Sequence, residues 1–163
     1  MHFVFGAFPH FDGRASLSRL VVGVGNSYRR DDGVGLAVAE EIAKRALPDV
    51  RVVTAIGEPG AILDAWNGVS VAVVVDAALG EGATPGRIRR WTPGDLDGPA
   101  LVSSHALGLP QTYALGHVLG QLPDRLVVFT IEASDVDHGL GLTPAVAAAV
   151  PEVVDAILAE FAR

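Results

Sequence analysis

Residues 20–35, Leu-Val-Val-Gly-Val-Gly-Asn-Ser-Tyr-Arg-Arg-Asp-Asp-Gly-Val-Gly, constrain the fold more than any other stretch of this chain. They read as a buried strand, a tight turn, a charged loop and the start of a helix. Leu20 to Val24 is apolar and β-branched, the composition of a central parallel strand. Gly23 and Gly25 remove side chains where backbone must approach something closely, and Asn26 suits a turn because its amide bonds to nearby backbone. From Val34 the apolar residues return at Ala37, Val38 and Ile42, the period of a helix.

Several chemistries fit a strand–loop–helix of this kind. A dinucleotide fingerprint needs a third glycine where Tyr28 stands, so that pattern fails. No Gly-Lys-Ser/Thr follows, which excludes a P-loop. Asp31 or Asp32 could cap the helix and complement its dipole. Alternatively, one of them is a metal-binding carboxylate at the carboxyl end of a strand, where open α/β sheets place their sites.

The 163 residues suffice for one domain with a substantial core. Cysteine is absent, which excludes disulfides, zinc–thiolate centres and cysteine nucleophiles. It also removes any reason to invoke an oxidising compartment, so a cytoplasmic location is expected. The net charge of −7 weighs against nucleic acid and anionic membranes as partners, and no apolar run approaches the ~18 residues of a membrane span. Nothing marks an oligomer face, so a monomer is expected. Residues 1–17 carry Phe3, Phe5, Phe8 and Phe11 among Gly, Pro and His, too interrupted for a signal peptide. They are read as a loosely ordered extension, or as sequence upstream of the true start, with a single domain over 18–163.

Further elements follow in order. Strands are expected at 19–24, 51–55, 69–75, 86–91 and 125–131, and helices at about 33–46, 60–66, after Ser103-Ser104-His105, and from Thr143-Pro144 to the C-terminus. The helix after His105 is expected to bury Ala114, Leu115, Val118, Leu119 and Leu122. Thr92 to Pro99 reads as loop, and Pro151 should kink the last helix or start a second segment. The order β-α-β-α-β-β-α-β-α predicts an α/β three-layer sandwich, with a mostly parallel five-stranded sheet and helices on both faces.

Asp32 (or Asp31), Asp76 and His105 share one property: each lies just past a predicted strand or just before a predicted helix. In a parallel sheet such ends lie on one edge, so distant positions can converge. Two carboxylates and an imidazole can hold a divalent transition metal and leave coordination positions open. Each also has a plainer reading: Asp76 as a turn cap, His105 as a hydrogen-bonding loop residue. Glu58, Glu132 and His138 could line the same edge, whereas His2, His10 and His117 have no comparable context. An aspartic pair without metal is a further option. No Gly-x-Ser-x-Gly elbow is present.

Five motifs in this order carry a resemblance: Gly23-Val24-Gly25-Asn26 with Asp31-Asp32-Gly33-Val34-Gly35; Val73-Val74-Val75-Asp76-Ala77; Pro85-Gly86; Ser104-His105-x-Leu107-Gly108-Leu109; and Gly141-Leu142-Thr143-Pro144 with Val146. Together, over about residues 18–160, the chain resembles the hydrogenase maturation endopeptidases. The resemblance implies a peptidase, aspartic-type or metal-dependent, that removes the C-terminal extension of the [NiFe] hydrogenase large-subunit precursor after nickel insertion. It implies that Asp32, Asp76 and His105 contact the nickel, with Asp32 and Asp76 also catalytic. Nickel would arrive bound to the precursor, and another divalent metal could replace it in vitro. Many members carry Asp-Gly-Gly after the second strand, whereas here the matching residues are Ala55-Ile56-Gly57. A docking chaperone that binds the precursor through metal but does not cut is therefore the alternative reading.

Overall fold

The computed structural model describes residues 18–96 and 108–163. The expectation of a loosely ordered extension over 1–17, and the position of His105, lie outside the described residues.

Five strands form one sheet: β1 (Arg19–Val24), β2 (Val50–Ala55), β3 (Val71–Ala78), β4 (Ile88–Trp91) and β5 (Arg125–Glu132), in the order β2-β1-β3-β5-β4. All neighbours are parallel except β4, which runs antiparallel to β5 at one edge. The helices are α1 (Val34–Lys44), α2 (Pro59–Trp66), a single turn α3 (Pro93–Leu96), α4 (Leu109–Leu119) and α5 (Pro144–Phe161).

Alternation along the strands separates two cores, because successive strand side chains point to opposite faces. Val21, Val73, Val75, Phe129 and Ile131 pack with α1 and α5. Leu20, Val22, Val74, Leu126 and Val128 pack with Trp66 of α2 and Leu109 of α4. The expected three-layer sandwich is thus formed.

The glycines of the first motif seat α1 on the sheet. A Cβ on Gly23 would lie 2.3 Å from the Gly35 carbonyl oxygen, and one on Gly35 would lie 2.4 Å and 2.5 Å from the carbonyl oxygens of Val24 and Val75. The motif serves close helix–sheet packing, which explains glycines without the third one a dinucleotide site needs.

Four local expectations are revised. The third strand runs two residues beyond Asp76 instead of ending before it, because Asp76 pairs with Thr130 of β5 and Ala78 with Glu132. The segment after β4 is not all loop: Asp95 accepts the backbone N–H of Thr92 (2.9 Å), which closes the one-turn helix α3. In α4 the buried residues are Leu109, Thr112 and Gly116, while Leu115, Val118 and Leu119 face solvent. Gly116 lets the helix approach Leu63 and Leu122 closely, and that contact fixes which face turns inward. Finally, α5 continues as one helix through the exposed Pro151, so the second segment offered as an alternative to a kink does not start there.

Candidate active site

The strand order reverses between β1 and β3: the chain leaves β1 toward β2 on one side, then crosses back to β3 on the other. In open α/β sheets the crevice at such a switch, at the carboxyl ends of the strands, is where ligands bind. Asp32 follows β1 and Asp76 sits in β3. In register, Gly23 pairs with Val75, so Asp76 stands level with the end of β1 although it is inside its own strand.

Three carboxylates are buried at this edge: Asp31 (0% exposed), Asp32 (1%) and Asp76 (2%). Buried carboxylates are rare without compensating partners. The adjacent aspartates of the first motif have different work. After the turn at Asn26, residues Arg30–Gly33 form a 3-10 turn leading into α1. This turn sends the two side chains in different directions. The Asp31 carboxylate accepts hydrogen bonds from the N–H groups of Ser134 (2.9 Å), Asp135 (3.0 Å) and Thr143 (2.7 Å), and from the Thr143 hydroxyl. Burial alone would push the Asp31 carboxyl up. The N–H groups of Asp135, Thr143 and Ser134 and the Thr143 hydroxyl outweigh it and hold the group below the ordinary aspartate value. Asp31 is therefore a brace that ties the β1–α1 loop to the β5–α5 loop.

Asp32 turns the other way. Its Oδ2 accepts the backbone N–H of Asn26 (3.1 Å), which holds the Gly-Asn turn against the start of α1. Neither aspartate caps a helix with its side chain. Thr143 occupies the N-cap position of α5, but its hydroxyl is spent on Asp31 instead of the helix. In β3, Asp76 Oδ1 accepts the N–H of Ala77 (2.8 Å).

The remaining candidates have other duties. Glu58 stands exposed at the N-cap position of α2. Glu132 ends β5, and its carboxylate faces the Arg87 guanidinium at 3.7 Å. His138 is exposed in the β5–α5 loop, and His117 is exposed on α4. Among the described residues, no three His, Asp or Glu side chains gather into a metal site. Carboxylates such as those of Asp32 and Asp76 are oxygen donors that a hard or borderline divalent ion accepts.

What the sequence reading missed is the division of labour between Asp31 and Asp32, and a rim of exposed apolar side chains. Tyr28 (71% exposed), Ile56 (75%) and Leu140 (73%) lie in the loops that follow β1, β2 and β5. The available signal was a large apolar residue in each of three polar, glycine-containing loops.

Fold and site together define a small α/β-sandwich protein with buried carboxylates at the topological switch of its sheet. Residues 36–160 match the hydrogenase maturation protease family (HycI). The chain is 30% identical over 150 residues to the hydrogenase expression/formation protein HupD of Rhodobacter capsulatus, covering 88% of this chain and 69% of that protein. It is 27% identical over 146 residues to the hydrogenase 2 maturation protease of Escherichia coli K12, covering 86% and 88%. Among solved structures, an Escherichia coli endopeptidase superposes with a TM-score of 0.76 at 25% identity, over 87% of this chain and 90% of that one. The [NiFe] hydrogenase maturation protease HybD of Thermococcus kodakarensis shares the fold with a TM-score of 0.67 at 23% identity, over 90% and 99%. The chain belongs to the hydrogenase maturation protease family, and so to a class of peptidases. None of the helices among the described residues is long and apolar enough to cross a membrane.

Proposed function

We propose that this protein is the endopeptidase that removes the C-terminal extension from a [NiFe] hydrogenase large-subunit precursor once nickel is in place. The observation that carries the reading is the placement of Asp32 and Asp76, both buried, one in the turn that follows β1 and one in β3, the two strands that flank the switch of the sheet. The precursor's nickel is part of the substrate. Asp32 and Asp76 offer it carboxylate oxygens and His105 an imidazole nitrogen, a donor set that nickel, zinc, iron and manganese all accept. Once the ion is held, the scissile peptide lies at the carboxyl edge. A carboxylate of this edge takes a proton from the attacking water, whose oxygen adds to the carbonyl carbon. The C–N bond then breaks and the leaving amine takes up the proton. The protein acts as a monomer in the cytoplasm.

The test incubates the protein with nickel-loaded precursor from its own source, beside a nickel-free control. Shortening only with nickel is the expected result. Shortening in both samples would remove nickel sensing from the proposal. Binding without shortening would replace the peptidase with a docking chaperone; the feature that favours that reading is the buried Ala55, at the position where the family resemblance leads one to expect an aspartate.

A further inference from the structure

The loops that carry the three exposed apolar side chains of the carboxyl edge are hydrogen-bonded to one another through their backbones. The N–H of Gly139 donates to the Tyr28 carbonyl (2.9 Å) and the N–H of Arg30 to the Gly139 carbonyl (3.0 Å), so Leu140 follows directly on a backbone bridge to the Tyr28 loop. Ile56 follows Ala55, whose carbonyl accepts the N–H of Gly25 at the start of that same loop (3.0 Å). The three loops are therefore laced together, and the Asp31 brace holds two of them in place. Large apolar side chains on an ordered, hydrogen-bonded rim beside a buried polar site mark a surface that is covered in use.

The charge around the rim says what covers it. Glu58, Glu81 and Asp137 stand exposed in the loops at this edge. Three guanidinium groups stand at this edge, Arg29, Arg30 (3.4 Å from Asp135) and Arg87 (3.7 Å from Glu132), and the carboxylates of Asp31, Asp32, Glu58, Asp76, Glu81, Glu132, Asp135 and Asp137 outnumber them. The free field over the rim is thus negative, in a chain of net charge −7. A complementary occupant presents apolar side chains flanked by Lys or Arg.

We infer that Tyr28, Ile56 and Leu140 form the docking surface for a polypeptide strip of the substrate that carries apolar side chains flanked by basic residues. The inference rests on the proposed function for the identity of the substrate, and adds which surface selects it. In this arrangement the rim supplies affinity and the buried aspartates supply chemistry. The peptide lies across the β1–α1, β2–α2 and β5–α5 loops with its scissile bond toward Asp32 and Asp76.

The experiment measures binding by fluorescence anisotropy, and cleavage on gels, with a labelled nickel-loaded large-subunit precursor. The proteins compared are the wild type, a Tyr28→Ser/Ile56→Ser/Leu140→Ser triple variant, and Val118→Ser, which removes an equally exposed apolar side chain (81%) from α4, away from this edge. The triple variant is expected to bind about tenfold or more weakly with unchanged thermal unfolding, to raise KM while leaving kcat at saturation, and to keep the salt dependence of binding, because the acidic groups of the edge are untouched. Val118→Ser is expected to match the wild type. Wild-type affinity and KM in the triple variant would overturn the rim while leaving the peptidase reading intact. Rim-dependent binding with no cleavage by the wild type would overturn the peptidase reading and uphold the rim. Absence of binding by the wild type would overturn both.

Discussion

The carboxylate of Asp31 receives both the backbone N–H and the hydroxyl of Thr143, residues separated by 112 positions in the chain. This pair joins the loop after the first strand to the N-terminus of the last helix. It fixes the relative positions of two loops that border the candidate site, so its removal should be felt in stability as well as in activity. Asp31→Ala leaves the N–H groups of Ser134, Asp135 and Thr143 without their acceptor. A loss of about 3 kcal/mol is expected, with about 1 kcal/mol for Thr143→Val, which keeps the N–H bond. Urea denaturation measures both; an unchanged midpoint for Asp31→Ala would show that the brace is dispensable.

Acid stability should follow two buried carboxylates. The hydrogen bond from Arg90 is the main reason that Glu160 lies below its ordinary value; burial opposes it, while the charge of Arg90, a bond from Arg125 and the charge of Arg163 add to it. Asp31 is lowered as well. A group with a depressed folded-state pKa stabilises fully above its unfolded value, here 3.8 for Asp31 and 4.5 for Glu160. That stabilisation fades as pH falls through the lower folded-state value. Thermal unfolding between pH 2 and 7 should therefore show the wild type well above Asp31→Asn and Glu160→Gln at neutral pH, with the gap closing at the acid end. A gap independent of pH would show that neither charge matters.

Glu160→Gln should be damaging in its own right. Its carboxylate meets Arg90 Nε at 2.5 Å and Arg125 at 2.9 Å at the end of the sheet opposite the site. Removing one partner of a buried ion cluster costs about 3–5 kcal/mol. Cleavage by the surviving folded fraction should keep the wild-type rate per molecule, checked by active-site titration below the unfolding temperature.

Gly35→Ala tests the seating of α1. The added methyl would fall within 2.5 Å of two carbonyl oxygens in β1 and β3, and backbone on both sides leaves it nowhere to go. A destabilisation of about 3 kcal/mol or more is expected, read as a lower unfolding midpoint. A stable Gly35→Ala protein would mean that α1 can ride higher on the sheet.

Asp76→Asn and Asp32→Asn separate chemistry from folding. Both keep size and hydrogen-bonding ability, so unfolding midpoints should fall by less than about 1–2 kcal/mol while processing of nickel-loaded precursor is abolished. His105→Ala should weaken nickel binding, followed by titration of the protein–precursor complex. Normal processing by Asp76→Asn would remove it from the site.

Much of this protein was legible in the sequence because the relevant signals are local. The apolar run of β3 and the amphipathic period of α1 follow from which residues a chain can bury at two-residue or helical spacing. Asp32 and Asp76 could be marked because parallel topology sends every strand end to one edge. Position and spacing alone could not divide Asp31 from Asp32, and only the resemblance singled out Asp32. They are adjacent, chemically identical and equally buried, and only the 3-10 turn aims one at Thr143 and the other at Asn26. The inward face of α4 was misread for a related reason: Leu115, Val118 and Leu119 make a good apolar stripe, but close approach at Gly116, decided by Leu63 on another helix, turned that stripe to solvent. The order of elements and the edge that carries the candidate site were thus determined by the chain itself. Which aspartate braces and which apolar residues remain outside were decided by tertiary packing, because those choices depend on groups distant in the chain: Thr143, 112 positions from Asp31, and Leu63 on another helix from Gly116.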